Sequence, residues 1–284
     1  MNVLDIFSGI GGFSLGLERA GMRTVAFCEQ EPYCRAVLRR HWPNVPIYQD
    51  VRELTAARLS ADGIRVDAIC GGFPCQDISQ AGRGAGIAGK RSGLWSEYRR
   101  LIGECGPAWA IIENVPALRS RGLDQVLREL SALGYDAEWH CIPASAIGAP
   151  HQRDRIWIMA YPSGRTGGQE GPYLSWPCNW FLAPAPFKRG AWGPRGGGGA
   201  PGGFWGPEPD VGRVANGVSA RVDRLRALGN AAVPQIPEMI GRAILYAEQQ
   251  AKFSMQPPSA DVPIRGEGPA ASAPSSVIGG TSDG

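Results

Sequence analysis

Five short apolar runs, each followed at once by glycine or a polar side chain, constrain the fold of this chain more than any other feature. They occupy residues 3–7, 24–29, 47–50, 66–70 and 108–112. Stretches with helical spacing separate several of them, and short buried strands that alternate with helices form an open, mostly parallel sheet covered on both faces. The pattern therefore predicts an α/β, Rossmann-like domain. In such sheets ligands bind beyond the carboxyl ends of the strands, so the residues after each run are the candidates for function.

The first three runs predict a site for a cofactor that contains adenosine. A glycine turn follows the first run, and glycines let backbone amides and a helix N-terminus approach a ligand closely. These glycines are Gly9, Gly11 and Gly12. The second run closes on Glu29, about twenty residues after the first glycine, where nucleoside-binding folds place the carboxylate that accepts the ribose hydroxyls. The third run ends in a similar way, at Asp50.

The fourth run leads to a candidate nucleophile, Cys75. We interpret Gly71 and Gly72 as the end of the strand, so the thiol would lie just past its carboxyl end. Pro74 restricts the backbone before the cysteine, whereas residues 76–93 are rich in Gly, Ser, Arg and Lys. This pairing predicts a fixed nucleophile under a mobile lid. A cysteine that serves only as a small buried apolar residue is the alternative interpretation.

Polar residues at the fifth run and beyond are predicted to join Cys75. Glu113 and Asn114 follow the fifth run, and neighbouring strands lie about 4.8 Å apart, so an adjacent strand would bring Glu113 into the same pocket as the thiol. Residues 136–142 and 155–161 are predicted to form paired strands. Arg153 and Arg155 differ by two positions, so on an extended chain they would point to the same face.

Composition narrows the classes of protein. Seven cysteines without a Cys-x-x-Cys pair and three histidines argue against a metal site or a disulfide framework. We find no apolar run of membrane-spanning length and no leader-like start, so we expect a cytoplasmic protein. The net charge of +3 is small, but bunched arginines fit local contacts with phosphates, as well as solvated helix faces. The clusters are Arg83, Lys90, Arg91, Arg99 and Arg100; Arg119 and Arg121; and Arg213, Arg221, Arg224 and Arg226.

The chain divides into four predicted parts. Residues 1–161 form the catalytic and cofactor-binding α/β domain, and residues 162–209, dominated by Gly, Pro and Trp, form a small irregular region. Residues 210–250 return to regular structure and complete the catalytic domain. Residues 251–284 have little to bury, and we expect a disordered tail.

Over residues 1–250 the chain resembles the C5-cytosine DNA methyltransferases, whose motifs occur here in the family's order. These are Asp5-Ile6-Phe7-Ser8-Gly9-Ile10-Gly11-Gly12, Phe73-Pro74-Cys75-Gln76, Glu113-Asn114-Val115, Gln152-Arg153-Asp154-Arg155 and Gly229-Asn230-Ala231-Ala232-Val233-Pro234. The resemblance implies a class I methyltransferase domain that uses S-adenosyl-L-methionine. It also implies a reaction at C5 of a flipped-out cytosine in a specific double-stranded DNA sequence, through a covalent bond from Cys75 to C6.

The resemblance assigns roles to individual residues. The implied catalytic residues are Cys75, Glu113, Arg153 and Arg155, with a protonated or proton-sharing Glu113 at N3 of the base and the two arginines holding base and thiolate. The implied cofactor contacts are Phe7, Ser8, Gly9, Gly11, Gly12, Glu29, Asp50, Pro74, Leu94 and Asn230. We expect a monomer of bacterial or phage origin, with a cognate restriction endonuclease or as an orphan.

The middle of the chain departs from the family, and three other functions stay open. Family members usually carry a larger target-recognition region than the segment 162–209 provides, so we expect reduced recognition. An RNA cytosine methyltransferase could use the same motifs. A nicotinamide oxidoreductase would use the glycine turn and Glu29 but leaves Cys75 without a role, and its fingerprint asks for a glycine where Ser14 stands. A DNA-binding module without catalysis is the third alternative.

Overall fold

The computed structural model describes residues 1–74, 94–149, 151–164 and 221–254. Cys75 and the predicted lid at 76–93 lie outside the described residues. So do most of the predicted recognition region and most of the predicted tail. Residues 251–254, predicted to belong to the tail, continue a helix that spans Gln235–Ser254.

Seven strands form one sheet, and among the described strands only β7 runs against the others. The strands are β1 (Asn2–Ile6), β2 (Arg23–Cys28), β3 (Ile47–Tyr48), β4 (Ala68–Gly72), β5 (Trp109–Asn114), β6 (Tyr135–Pro143) and β7 (Asp154–Pro162). Their order is β3-β2-β1-β4-β5-β7-β6, and β7 pairs antiparallel with both β5 and β6. The predictions of a mixed, mostly parallel sheet and of paired strands over residues 136–142 and 155–161 are confirmed.

Helices cover both faces of the sheet, as predicted. They are α1 (Gly12–Ala20), α2 (Pro32–His41), α3 (Ala56–Ala61), α4 (Trp95–Cys105), α5 (Leu118–Arg121), α6 (Leu123–Ala132), α7 (Arg221–Asn230) and α8 (Gln235–Ser254). Side chains alternate along β5, so Ile112 packs into a core with α4 and α6, and Ile111 into a second core with α1 and α8. Each fully buried side chain of this size contributes about 1.5–3 kcal/mol. Within the described part of the chain, no helix is both long and apolar enough to cross a bilayer.

The two glycines before Phe73 are the last residues of their strand, as predicted, and they also allow a close approach to the neighbouring strands. Gly71 and Gly72 belong to β4 and pair with Ile112 and Glu113 of β5. A Cβ atom on Gly71 would stand 2.0 Å from the carbonyl oxygen of Ile6, so a side chain there would force β4 away from the end of β1. The glycines therefore serve close approach between strands.

One boundary differs from the prediction. Glu113 and Asn114 are the last two residues of β5 and do not follow it. Helix α4 begins at Trp95. Burial of Trp95, Tyr98 and the residues a turn later fixes this start, because the apolar side chains at three- and four-residue spacing face the sheet.

Helix α8 packs against α1 at glycines. A Cβ atom on Gly16 of α1 would lie 2.1 Å from the carbonyl oxygen of Pro234 and 2.8 Å from the amide nitrogen of Glu238. Both neighbours are backbone atoms, which cannot rotate away. The apolar faces of the two helices, including Leu17 and Ile240, share one buried core.

We predict that Gly16→Ala lowers the free energy of unfolding by about 1–3 kcal/mol, because α1 and α8 must separate to admit the methyl group. Urea denaturation of the purified protein measures this. Gly229→Ala in α7 is the matched control, since a Cβ there meets no described atom within 4 Å. An unchanged unfolding midpoint for Gly16→Ala would contradict the close contact.

Candidate active site

Three predicted cofactor residues follow three neighbouring strands at one edge of the sheet. Phe7 follows β1, Glu29 follows β2 and Asp50 lies two residues beyond β3. Because these strands are parallel and adjacent, the structure brings the three residues to the same edge, as predicted. Phe7 has a φ of 54°, which is unusual for a residue other than glycine. Such strained backbone clusters at functional sites.

The carboxylate of Glu29 is fixed by backbone amides. The amide of Gly9 donates to Oε2 and the amide of Glu31 donates to Oε1, each at 2.7 Å. Burial raises the pKa of Glu29, although these two hydrogen bonds lower it. The side chain therefore does not need to reorganise to accept hydrogen bonds from a ligand, because each oxygen keeps a second lone pair.

Other predicted cofactor residues hold the turn together or flank it. The hydroxyl of Ser8 donates to the carbonyl of Asp5 at 2.6 Å, so this side chain supports the turn internally. Asp50 accepts hydrogen bonds from Arg52, which lower its pKa. Asn230 is exposed at the end of α7, and Pro74 and Leu94 are half-buried on either side of the segment that is not described.

Ser14 stands where a dinucleotide-binding fingerprint has its third glycine, and here its side chain joins α1 to β1. The hydroxyl of Ser14 donates to Oδ2 of Asp5 at 2.7 Å, within the buried contact between β1 and α1. Burial raises the pKa of Asp5 to about 7, so the hydrogen bond joins a weakly acidic carboxyl to the helix. The glycine turn is thus tied to the sheet through side chains.

The residues at this edge fit a cofactor that contains adenosine. Within the described part of the chain, the space where Gly9 would carry a Cβ atom is open, and Gly9 has a φ of 55°. A preorganised carboxylate, Glu29, lies beside this space, and Phe7 offers an aromatic ring at the same edge. Hydroxyl groups of a ribose require such an acceptor, and a nucleobase requires an apolar surface.

Glu113 and Arg155 form the second half of the site. Nε of Arg155 lies 2.7 Å from Oε1 of Glu113, and the Glu113 side chain is 13% exposed. Glu113 pairs with Gly72 across β4 and β5, and a Cβ atom on Gly72 would stand 2.5 Å from Oε2 of Glu113. The absence of a side chain at Gly72 therefore makes room for the carboxylate. Only Phe73 and Pro74 separate this glycine from Cys75 in the chain.

The pKa of Glu113 is displaced towards neutrality. Burial raises it from the ordinary value of 4.5 to about 7, even though the charges of Arg155 and Arg153 oppose the change. Desolvation thus outweighs an ion pair at hydrogen-bonding distance. Near neutral pH the group is present in both protonation states, as a residue that shares a proton with a base requires.

Asn114 has a contact with the backbone before Cys75 that its position in the sequence does not indicate. Its amide donates to the carbonyl of Phe73 at 3.1 Å, and its Oδ1 accepts from the amide of Val115 at 2.8 Å. Asn114 is buried and anchors the backbone two residues before Cys75. The sequence shows a polar residue at the end of the fifth apolar run. It does not show that the partner of this residue is the carbonyl of Phe73, directly after β4.

Arg153 and Arg155 do not share an extended backbone, contrary to the prediction. Arg153 precedes β7 and has a φ of 40°, in the left-handed region. Its guanidinium donates to backbone carbonyls at the end of α7, whereas Arg155 contacts Glu113. The structure brings Glu113 and Arg155 together and directs Arg153 to the C-terminal helices.

The described cysteines of this region are poor candidates for a nucleophile. Cys28 and Cys70 are buried, and burial raises the pKa of Cys28 to about 12 and that of Cys70 well above its ordinary value. A thiol attacks as the thiolate, which such pKa values disfavour. Cys75 itself lies outside the described residues, so its role stays a prediction.

The fold and this edge define a Rossmann-like domain of the class I methyltransferase type, with a nucleoside half at β1–β3 and an acid–arginine half at β4, β5 and β7. A family model, C-5 cytosine-specific DNA methylase, matches residues 1–170. The chain belongs to this family, and the resemblance drawn from the sequence motifs is confirmed.

Individual relatives match the same part of the chain. The Type II methyltransferase M2.BsuMI of Bacillus subtilis is 38% identical over 168 residues, which cover 56% of this chain and 42% of that protein. The Type II methyltransferase M.AquIA of Picosynechococcus sp. is 28% identical over 181 residues, covering 58% of this chain and 73% of that protein. The match thus spans less than half of M2.BsuMI.

A solved structure supports the fold alone. The Entamoeba histolytica methyltransferase EhMeth is 19% identical, with a TM-score of 0.50 over 57% of this chain and 52% of that chain.

We predict that Glu113→Gln changes how stability depends on pH. The raised pKa means that the folded protein binds more protons than the unfolded chain between pH 4.5 and about 7, so wild-type stability falls as pH rises through this window. The variant lacks this contribution and should gain on the order of 3 kcal/mol relative to wild type between about pH 5 and about pH 8.

Urea denaturation across this pH range measures the difference in the free energy of unfolding between Glu113→Gln and wild type. Asp5 and the other titratable groups are present in both proteins, so their contributions cancel in this difference. Glu104→Gln is the control. Burial of Glu104 is outweighed by hydrogen bonds from Arg100 and Ala56, and its pKa is lowered. The Glu104→Gln variant should therefore show no gain in the free energy of unfolding relative to wild type above pH 5. A Glu113→Gln difference that is constant with pH would contradict the raised pKa.

Proposed function

We propose that this protein transfers a methyl group from S-adenosyl-L-methionine to C5 of a flipped-out cytosine in a specific double-stranded DNA sequence, with Cys75 as the nucleophile. The observation that carries the proposal is the Glu113 carboxyl, which is buried, paired with Arg155 and shifted to a pKa of about 7. It lies beside the strand that leads to Cys75. Membership of the C-5 cytosine-specific DNA methylase family supports the same reaction.

The cytosine ring requires activation before C5 accepts a methyl group. The Cys75 thiolate adds to C6, so an Sγ–C6 bond forms, the C5–C6 double bond breaks and the electron pair moves into the ring towards C5 and N3. Glu113 donates a hydrogen bond or proton at N3 as this charge develops. The Arg155 guanidinium keeps Glu113 in place and binds the base.

When bound, S-adenosyl-L-methionine supplies the electrophilic methyl group that C5 accepts. Glu29 would accept hydrogen bonds from the ribose hydroxyls, and Phe7 would contact the adenine. Ser8, Gly9, Gly11, Gly12, Asp50, Pro74, Leu94 and Asn230 are the further proposed contacts. A base in solution then takes the C5 proton, the electron pair of the C5–H bond restores the C5–C6 double bond, and the Sγ–C6 bond breaks with its electron pair returning to sulfur. Any proton on N3 returns to Glu113, and 5-methylcytosine is released.

The substrate class and partners follow from the family and the chemistry. A cytosine inside a base stack cannot be reached by a thiol, so the base must leave the duplex, and we propose the segment 76–93 as the lid that closes over it. Several relatives are named Type II methyltransferases. We therefore propose a role in DNA modification, with a cognate restriction endonuclease or as an orphan, by a protein that acts as a monomer.

We predict a covalent adduct between the protein and duplex DNA that contains 5-fluorocytosine, formed only when S-adenosyl-L-methionine is present. Fluorine at C5 blocks the last elimination, so the Sγ–C6 bond persists. Denaturing gel electrophoresis detects the adduct. Cys75→Ser should abolish it, and Cys141→Ser, at an exposed position, should retain it. No adduct with wild type on a library containing the target, or a full adduct with Cys75→Ser, would overturn this mechanism.

We further predict that transfer of labelled methyl groups is faster with duplex DNA than with RNA of the same sequence. Scintillation counting on both substrates, at equal salt concentration, gives the comparison, since the phosphate contribution depends on salt. Preferential labelling of RNA would replace the proposed substrate with RNA and leave the cytosine chemistry in place.

A further inference from the structure

The guanidinium of Arg153 lies against the C-terminal end of α7. Nη1 donates to the carbonyl of Leu228 at 3.3 Å and Nη2 donates to the carbonyl of Gly229 at 2.8 Å. Nη2 also donates to the carbonyl of Ala231. Carbonyls in the last turn of a helix lack partners within the helix and carry partial negative charge, so a cation is favoured there. One side chain thus binds three carbonyls about 75 residues along the chain.

The connection between α7 and α8, residues 231–234, is held from its other side by the start of α1. A Cβ atom on Gly12 would stand 2.4 Å from the carbonyl oxygen of Ala232. The connection therefore lies between the glycine turn and the Arg153 guanidinium. Asn230, a proposed cofactor contact, is placed between two of the carbonyls that Arg153 binds.

The backbone conformation of Arg153 explains why Arg153 and Arg155, two residues apart, reach different parts of the site. Its φ of 40° departs from extended geometry, so the two-residue alternation of a strand does not extend back to it from Arg155. Arg155 contacts Glu113 at the base half of the site, whereas Arg153 contacts the connection beside the cofactor half. A left-handed conformation at such a residue is strained and persists only where surrounding contacts maintain it.

We propose that Arg153 is a positioning residue that holds residues 228–231 against the start of α1 and thereby completes the cofactor site. The inference rests on the proposed function for the identity of the cofactor. It revises the role that the resemblance implies for Arg153, which is direct contact with the base. Since Arg153 and Arg155 are two residues apart, the same short segment connects the cofactor and nucleotide halves of the site.

The first test measures binding of S-adenosyl-L-homocysteine by calorimetry without DNA, in wild type, Arg153→Lys and Arg155→Lys. Lysine keeps the charge but lacks the planar fork that serves several carbonyls at once. We expect Arg153→Lys to raise the Kd about tenfold, within the range that lost hydrogen bonds to a charged group produce. Arg155→Lys should leave the Kd unchanged. A wild-type Kd for Arg153→Lys, combined with slower methyl transfer, would overturn the proposal in favour of direct contact with the base.

The second test separates this proposal from the proposed function. Amide hydrogen exchange at 228–233 in the cofactor-free protein should be faster in Arg153→Lys than in wild type, with exchange in α4 unchanged as a control for folding. Wild-type exchange at 228–233 would show that Arg153 does not hold this segment. If the wild-type protein failed to bind the homocysteine analogue, the proposed cofactor would be wrong, while the exchange result would still decide the role of Arg153.

Discussion

The close approach of β4 and β5 at Gly72 is the constraint on which the acid half of the site depends. The carboxylate of Glu113 occupies space that any side chain at position 72 would fill, and Arg155 reaches it from β7. A buried ion pair of this kind is weak evidence for stability, because desolvation offsets the attraction between the charges. Here desolvation exceeds it, as the pKa of about 7 indicates. The pair therefore adds little to the stability of the fold, and a carboxyl with this pKa is suited to the proton sharing proposed for Glu113.

The two halves of the site hold their functional carboxylates by different interactions. The nucleoside half, beyond β1, β2 and β3, relies on backbone groups that orient one carboxylate, with glycine giving access. The acid half relies on side chains whose charges balance one another at close range. Asn114 and Arg153 touch neither Glu29 nor Glu113 in any described hydrogen bond, yet they anchor the backbone next to the proposed nucleophile and the proposed cofactor residues. Supporting contacts of this type determine how accurately a site is held.

Strand ends were predictable from sequence because burial leaves a clear apolar run and parallel strands finish at a common edge. Glu29 and Glu113 were located in this way, and the structure brings both to that edge. The close packing of strands at Gly71 and Gly72 was not predictable. A pair of glycines fits both the end of a strand and a close approach between strands, and the sequence alone does not show that both apply. The positive φ of Arg153 left no trace in the sequence either, because the residue is not a glycine and the cause lies in contacts with α7. Distant partners, such as Phe73 for Asn114, require the strand order before they can be identified.

The packing of α8 on α1 has a consequence for biosynthesis. The apolar face of α1 is covered by residues such as Ile240 and Ile244, which are translated more than two hundred positions after it. Pairing across such a separation carries a loop-closure cost and delays completion of the domain until α8 has emerged from the ribosome. Until then the nascent chain exposes the apolar face of α1 beside the glycine turn. Molecular chaperones that recognise such surfaces would have their main opportunity in this interval.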